Sequence, residues 1–277
     1  MSETQKAAVE AFRTLHAEGC FVLPNPWDAG TAVYLRHVGF KALATTSAGF
    51  AFSQGLPDSP TAMDVDAVLT HVRDIVKATP LPVNADFQNG YADSPEHVAQ
   101  NVSRCVATGV AGLSIEDSYG NSATDIYDLD LAVERIKGAR HAIDDSGIPV
   151  VLTGRCEAFL LGDRNAFQAS IVRLRAYADA GADCLYAPGV TDPFQIEEIV
   201  KAVAPKPVNV LVWKPDPNLT LASLRDIGVR RISVGAALSR VAWGAFMQAA
   251  QSIESTGTFD ALAGAAASAE LNQIFKQ

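Results

Sequence analysis

The chain has 277 residues, 48% hydrophobic and 19% charged, which supplies ample apolar material for a core and argues against a disordered polymer. Its 22 Lys plus Arg against 31 Asp plus Glu give a net charge of -9, with no cluster of basic and aromatic residues, so composition points away from nucleic acid. The four cysteines, Cys20, Cys105, Cys156 and Cys184, lack paired spacing, so neither a zinc site nor a disulfide framework is suggested.

The first expected element is an amphipathic helix over 3–18. It lacks the charged start and apolar centre of a targeting segment, and no run reaches about 18 apolar residues, which implies a cytoplasmic protein without membrane contact. Short β-rich runs then alternate with helical periodicity. Strands are expected at 20–26, 42–47, 81–86, 112–117, 149–155, 184–189, 207–212 and 231–236, and helices near 31–38, 64–78, 95–108, 131–144, 166–180, 194–203, 220–227 and from 239 onward. Glycines in "AGAD" (180–183) and "DIGVRR" (226–231) stop helices just before the next strand. Alternation means parallel strands with crossover helices, and eight units close a (β/α)8 barrel. The expectation is therefore an α/β fold, one barrel domain spanning 1–277, with the N-terminal helix and a last helix near 258–275 outside the eight units, where they would cap the barrel or contact a neighbouring subunit.

Barrel enzymes place their chemistry at the C-terminal ends of the strands. Here those ends carry Asn25, Trp27 and Asp28, then Thr45, Thr46 and Ser47, then Asp86 and Gln88, Glu116 and Asp117, Arg155 and Glu157, and Asn209. Asp86 and Glu116 end neighbouring strands, and two carboxylates in a partly dry mouth either raise one pKa or recruit a cation, for which hard oxygen ligands suit Mg²⁺ or Mn²⁺. Arg155 offers a planar fork for a carboxylate or phosphate. Taken singly, each has a plainer reading: Asp86 and Asn209 as turn formers or caps, Arg155 with Glu157 as a surface ion pair, Glu116 and Asp117 as loop caps, Cys156 as a packed thiol. The joint placement at strand ends favours function. His16, His37, His71, His97 and His141 all fall in expected helices, and no phosphate loop or nucleophilic-serine elbow is present.

Several segments, in order, resemble the isocitrate lyase and phosphoenolpyruvate mutase superfamily of Mg²⁺-dependent barrels: "TTSAGFAFSQGLPD" (45–58), "PVNADFQNGYAD" (82–93), "GVAGLSIED" (109–117) and "GRCEAFLLG" (154–162), continued by "YADAGADCLY" and "PVNVLV". The resemblance implies a metal site at Asp86, Gln88 and Glu116, with Asp86 on the cation and Asp58 and Glu116 holding its waters. It implies Asp58, Glu116 and Arg155 as the catalytic set, and substrate contacts from Arg155, Asn209, Trp27 and the backbone around Thr46, Ser47 and Ala48. The implied substrate is a small 2-oxo carboxylate, oxaloacetate-like, cleaved at a C–C bond by a lyase or hydrolase through an enolate-like species. The alternatives are a phosphonopyruvate-type P–C mutase or hydrolase, and a non-catalytic protein that only binds a 2-oxo acid. A homotetramer exchanging its last helix is implied too.

The sequence departs from this pattern at "EDSYGNSATDIYDLD" (116–130), which lacks the cysteine, lysine and histidine of the isocitrate-cleaving members. Pro188 stands where those lyases carry a glutamate, Asp117 and Asn121 only faintly echo the mutase loop, and Gln88 stands where a carboxylate is usual. An amide can still hold a water, but it removes one negative charge from the site.

Overall fold

The computed structural model describes residues 3–59, 61–120, 122 and 124–276. Eight parallel strands form one sheet: β1 (Phe21–Leu23), β2 (Leu43–Ala44), β3 (Val83–Asp86), β4 (Gly112–Glu116), β5 (Val151–Arg155), β6 (Cys184–Tyr186), β7 (Val208–Leu211) and β8 (Arg231–Ser233). They pair in the order β1-β8-β7-β6-β5-β4-β3-β2, and at the remaining seam the Ala44 amide donates to the Pro24 carbonyl at 3.0 Å, so the ring is all but closed. The strands are shorter than the apolar runs that encode them. In the first run Pro24 and Pro26 have no N–H to continue a ladder, and β1 stops at Leu23.

The helices are α1 (Glu3–Ala17), α2 (Ala29–His37), α3 (Ser47–Ser53), α4 (Val65–Ala78), α5 (Pro95–Val106), α6 (Leu129–Asp145), α7 (Ala166–Asp179), α8 (Pro193–Val203), α9 (Leu221–Asp226), α10 (Ala237–Thr256) and α11 (Ser268–Ile274). Their periodicity explains the packing. In α4 the buried side chains are Val68, Leu69, Val72 and Ile75, one stripe at three- and four-residue spacing, and in α5 they are Val98, Val102, Cys105 and Val106. The starts are set by side-chain caps: Ser94 accepts from the His97 amide with Pro95 in the first turn, and Asp64 accepts from the Asp66 amide. Among the described residues no helix is long and apolar enough to cross a membrane.

Of the two positions open to the first helix, the structure selects the floor of the barrel. Phe12 is fully buried against Gly112, Gln5 donates to the Val106 and Val110 carbonyls, and Arg13 donates to the Pro149 carbonyl. Two expectations are corrected. The substrate segment after β2 is a helix, α3, started by Thr46, whose hydroxyl accepts from the Gly49 amide. The last helix is not continuous over 258–275. A 3-10 turn (Asp260–Gly264) is separated from α11 by extended backbone at Ala265 and Ala267, and of residues 260–274 Ile274 alone is buried.

Candidate active site

The strand ends open into a cavity of about 400 Å³, lined among others by Asn25, Thr46, Ser47, Ala48, Asp58, Asp86, Arg155, Tyr186, Asn209 and Arg231. Asp86 closes β3. Its amide donates nothing to the ladder and instead donates to the Thr45 hydroxyl at 2.9 Å, while its carboxylate accepts from the Ser47 amide at 2.9 Å and from Arg155 Nη1 at 3.2 Å. Pairing of β4 with β5 sets Glu116 directly beside Arg155, whose Nη1 also lies 3.2 Å from Glu116 Oε2. The other edge of the guanidinium is taken by Glu157, which accepts from Nε and, at 3.1 Å, from Nη2. Arg155 and Glu157 do pair, as the plainer reading of them had it, but the pair is buried and not at the surface, with 15% and 6% of the two side chains exposed.

One guanidinium thus serves Asp86, Glu116 and Glu157, with Asp58 across the mouth. Burial and then the neighbouring acids push the Glu116 carboxyl well above the ordinary carboxylate range, although Arg155 opposes the shift. Burial likewise raises Glu157, and burial followed by the Asp86 charge raises Asp58. Burial works against the charge of Arg155, but Glu157, Glu116 and Asp86 outweigh it and hold its pKa well above that of a free guanidinium. Four carboxyl groups thus crowd one guanidinium, a surplus of acids that goes with the raised pKa values of Asp58, Glu116 and Glu157.

That surplus bears on a divalent cation. Among the described residues, no three His, Cys, Asp or Glu side chains converge to form a metal cage, so Asp86, Gln88 and Glu116 are not a closed set of protein ligands. Yet Gln88 is buried, held at φ 42°, and its Oε1 has no hydrogen-bond partner; it lines a pocket with Ser47, Asp58, Glu116, Ser118, Arg155 and Glu157. An orphaned hard oxygen beside excess carboxylates fits a Mg²⁺-type ion that keeps several of its waters.

The remaining expected residues are distributed unevenly. Thr46, Ser47, Ala48 and Asn209 line the cavity, but the Ser47 amide is already committed to Asp86. Arg155 has its fork engaged by Glu157 and its Nη1 by Asp86 and Glu116, so what it presents to the cavity is charge rather than a free fork. Trp27 lies outside the lining: its amide joins the cap of α2 through the Thr31 hydroxyl, and its carbonyl bonds His71. Asp117 is turned away from the mouth, accepting from the Glu157 amide, the Tyr177 hydroxyl and Arg173. Asn121 lies outside the described residues.

Sequence reasoning placed Asn25 and Asn209 at strand ends but missed Arg231, Ser233 and Tyr186 beside them. Arg231 opens β8 and Ser233 ends it, both buried, with Tyr186 and Asn25 alongside; Asn25 Oδ1 accepts from the Val234 and Gly235 amides. The available signal was a charged residue heading the run "RISV", where a barrel strand ordinarily reads apolar. Among the described residues lining this cavity there is no lysine, cysteine or histidine.

The family model for phosphoenolpyruvate phosphomutase matches residues 12–254. A crystal structure from Burkholderia cenocepacia J2315, described provisionally as a lyase/mutase, is 46% identical with a TM-score of 0.94, covering 100% of this chain and 98% of that one. The 2-methylisocitrate lyase of Salmonella typhimurium (strain LT2) is 30% identical over 231 residues, 79% of this chain and 76% of its own. The oxaloacetate decarboxylase of Pseudomonas entomophila (strain L48) is 30% identical over 233 residues, 81% and 77% of the two chains.

Proposed function

The chain belongs to the phosphoenolpyruvate phosphomutase family of the isocitrate lyase superfamily, and from that premise we propose that it is a divalent-cation-dependent lyase or hydrolase that cleaves a C–C bond of a small, oxaloacetate-like 2-oxo carboxylate. The observation that carries the reading is the acid wall of Asp58, Asp86, Glu116 and Glu157 around the single Arg155, with the unpartnered Gln88 oxygen beside it.

Asp86 holds the cation, Mg²⁺ or Mn²⁺, while Asp58, Glu116 and Gln88 orient its waters. A cation there supplies positive charge next to the oxygen on which negative charge develops as the bond breaks. Arg155 contributes its charge to the same end of the substrate, and Glu157 fixes the guanidinium in place. Asn209 and the Thr46–Ala48 segment position the rest of the molecule.

Asp86→Ala tests the reading. The variant should lose both Mg²⁺ affinity and turnover on a panel of 2-oxo acids, and unchanged metal affinity with unchanged turnover would end it. Phosphorus NMR on phosphonopyruvate decides against the P–C alternative if that compound persists while oxaloacetate is consumed. Binding of the panel without any turnover supports a pure binding protein instead. The chain is read as one barrel domain assembling with other copies through α10, which exposes Val241, Trp243, Phe246 and Met247. Sedimentation equilibrium should then give a species larger than one chain.

A further inference from the structure

The cavity lining also contains a buried cation with no carboxylate partner among the described residues. Arg231 is 2% exposed, and among the described residues no carboxylate forms an ion pair with it, in a chain whose net charge is -9. Its three bonded partners are neutral: Nε donates to Asn209 Oδ1 at 2.9 Å, Nη2 donates to Thr153 Oγ1 at 3.1 Å, and Nη1 faces His16 Nε2 at 3.2 Å. A guanidinium can only donate, so His16 must accept at Nε2 and stays neutral, and the Asn209 amide must present its oxygen to Arg231. A buried charge left with neutral partners is costly, and a protein retains it where a ligand completes the pairing.

The same bonds aim that charge at the cavity. With its oxygen held by Arg231, Asn209 donates from its NH₂ to Ser233 Oγ at 2.9 Å, and that amide carries a second hydrogen besides. Ser233 in turn lies 3.5 Å from the Tyr186 hydroxyl, and Asn209, Ser233 and Tyr186 all line the cavity. A charge-assisted bond at the amide oxygen polarises its N–H groups into stronger donors. The cavity therefore carries both signs of charge: Asp58 and Asp86 line it with Arg155, and Arg231 adds a second buried guanidinium that reaches from β8 to Asn209 of β7 and Thr153 of β5.

We propose that Arg231 is a positioning residue for a second anionic group of the substrate: acting through Asn209 and Ser233, it makes the site select dicarboxylates over monocarboxylates sharing the same 2-oxo or 2-hydroxy acid head. The proposal rests on the reaction reading above for the orientation of the substrate, but it is tested by binding alone. Malate and lactate share a 2-hydroxy acid head and differ by one carboxylate. Calorimetry with each, in Mg²⁺ buffer, should find malate bound more tightly by the unaltered protein. Arg231→Met should weaken malate by about tenfold or more while leaving lactate within about twofold. Asn209→Asp keeps the bond to Arg231 and supplies the missing counter-charge, so it should erase the malate preference in a folded protein; it decides the matter if Arg231→Met fails to fold. Equal weakening of both ligands in Arg231→Met, an unchanged malate-to-lactate ratio in Asn209→Asp, or no preference in the unaltered protein overturns the proposal. Turnover of 2-oxo acids by the unaltered protein reports on the reaction separately, so either conclusion can fail while the other stands.

Discussion

Acidification should loosen this barrel from its floor. His16 is buried at the end of α1, its Nδ1–H donates to the Phe12 carbonyl at 2.7 Å, and its Nε2 accepts from Arg231. Burial first, and then the Arg231 charge, lower its pKa from 6.5 to about 3. The unfolded chain takes up this proton as pH falls through 6.5, whereas the folded chain does not until about 3. The stability supplied by neutral His16 is therefore complete above pH 6.5 and lost progressively below it. At about 1.36 kcal/mol per pH unit the full window is worth about 5 kcal/mol, and the part between pH 7 and pH 5 about 2 kcal/mol. His16→Gln offers an amide oxygen to Arg231 but cannot titrate. Urea unfolding of both proteins at pH 7, 6 and 5 should show the unaltered chain losing about 2 kcal/mol more than the variant, the carboxylates common to both cancelling in the difference. Parallel pH profiles between 7 and 5 would refute the geometry assigned to His16 and Arg231.

Three further outcomes follow from the site and the floor. Arg155→Gln leaves Asp86, Glu116 and Glu157 without their shared cation, which should cost about 3–5 kcal/mol at neutral pH. Because Glu116 and Glu157 already have folded pKa values raised by burial, the variant should regain stability as pH falls and lose it as pH rises, and Mg²⁺ should raise its melting temperature more than that of the unaltered protein. Gln88→Glu adds a further acid to the wall; it should lower stability in chelator yet tighten Mg²⁺ binding by about tenfold, and a calorimetric titration without tightening would remove Gln88 from the metal's surroundings. Gly112→Ala places a methyl group 2.6 Å from both Phe12 Cε1 and Asn84 Oδ1, so it should destabilise by about 1–3 kcal/mol in denaturant melts without altering the mouth.

The barrel was legible because period is local. Runs such as 81–86 and 149–155 alternate with stripes such as Val68, Val72 and Ile75 of α4, and the pattern fixes both element type and parallel order. The acid wall was legible for a related reason: a residue's position at a strand's C-terminal end is written in the chain, so Asp86, Glu116 and Arg155 could be brought to one mouth before any coordinates. Whether a side chain at such a place faces the mouth was not legible. Trp27 and Asp117 also follow strands, yet one belongs to the cap of α2 and the other to Arg173 and Tyr177, because orientation depends on which neighbour satisfies the polar atoms. The continuous helix expected over 258–275 is interrupted by extended backbone at Ala265 and Ala267, a break that the helical period of the sequence does not announce.

By itself the sequence determined the alternation of strands and helices, the acids and the single arginine at their ends, and the departures at Gln88 and Pro188. Only the tertiary structure decided that the Arg155–Glu157 pair is buried and shared with Asp86 and Glu116, that α1 closes the floor, and that Arg231 lines the same cavity with neutral partners. Strand ends are set by neighbours in the chain. Charge balance also depends on neighbours distant in the chain, as with Arg155 and Asp86 at 69 residues apart, and the pairing of β3, β4 and β5 brings them together.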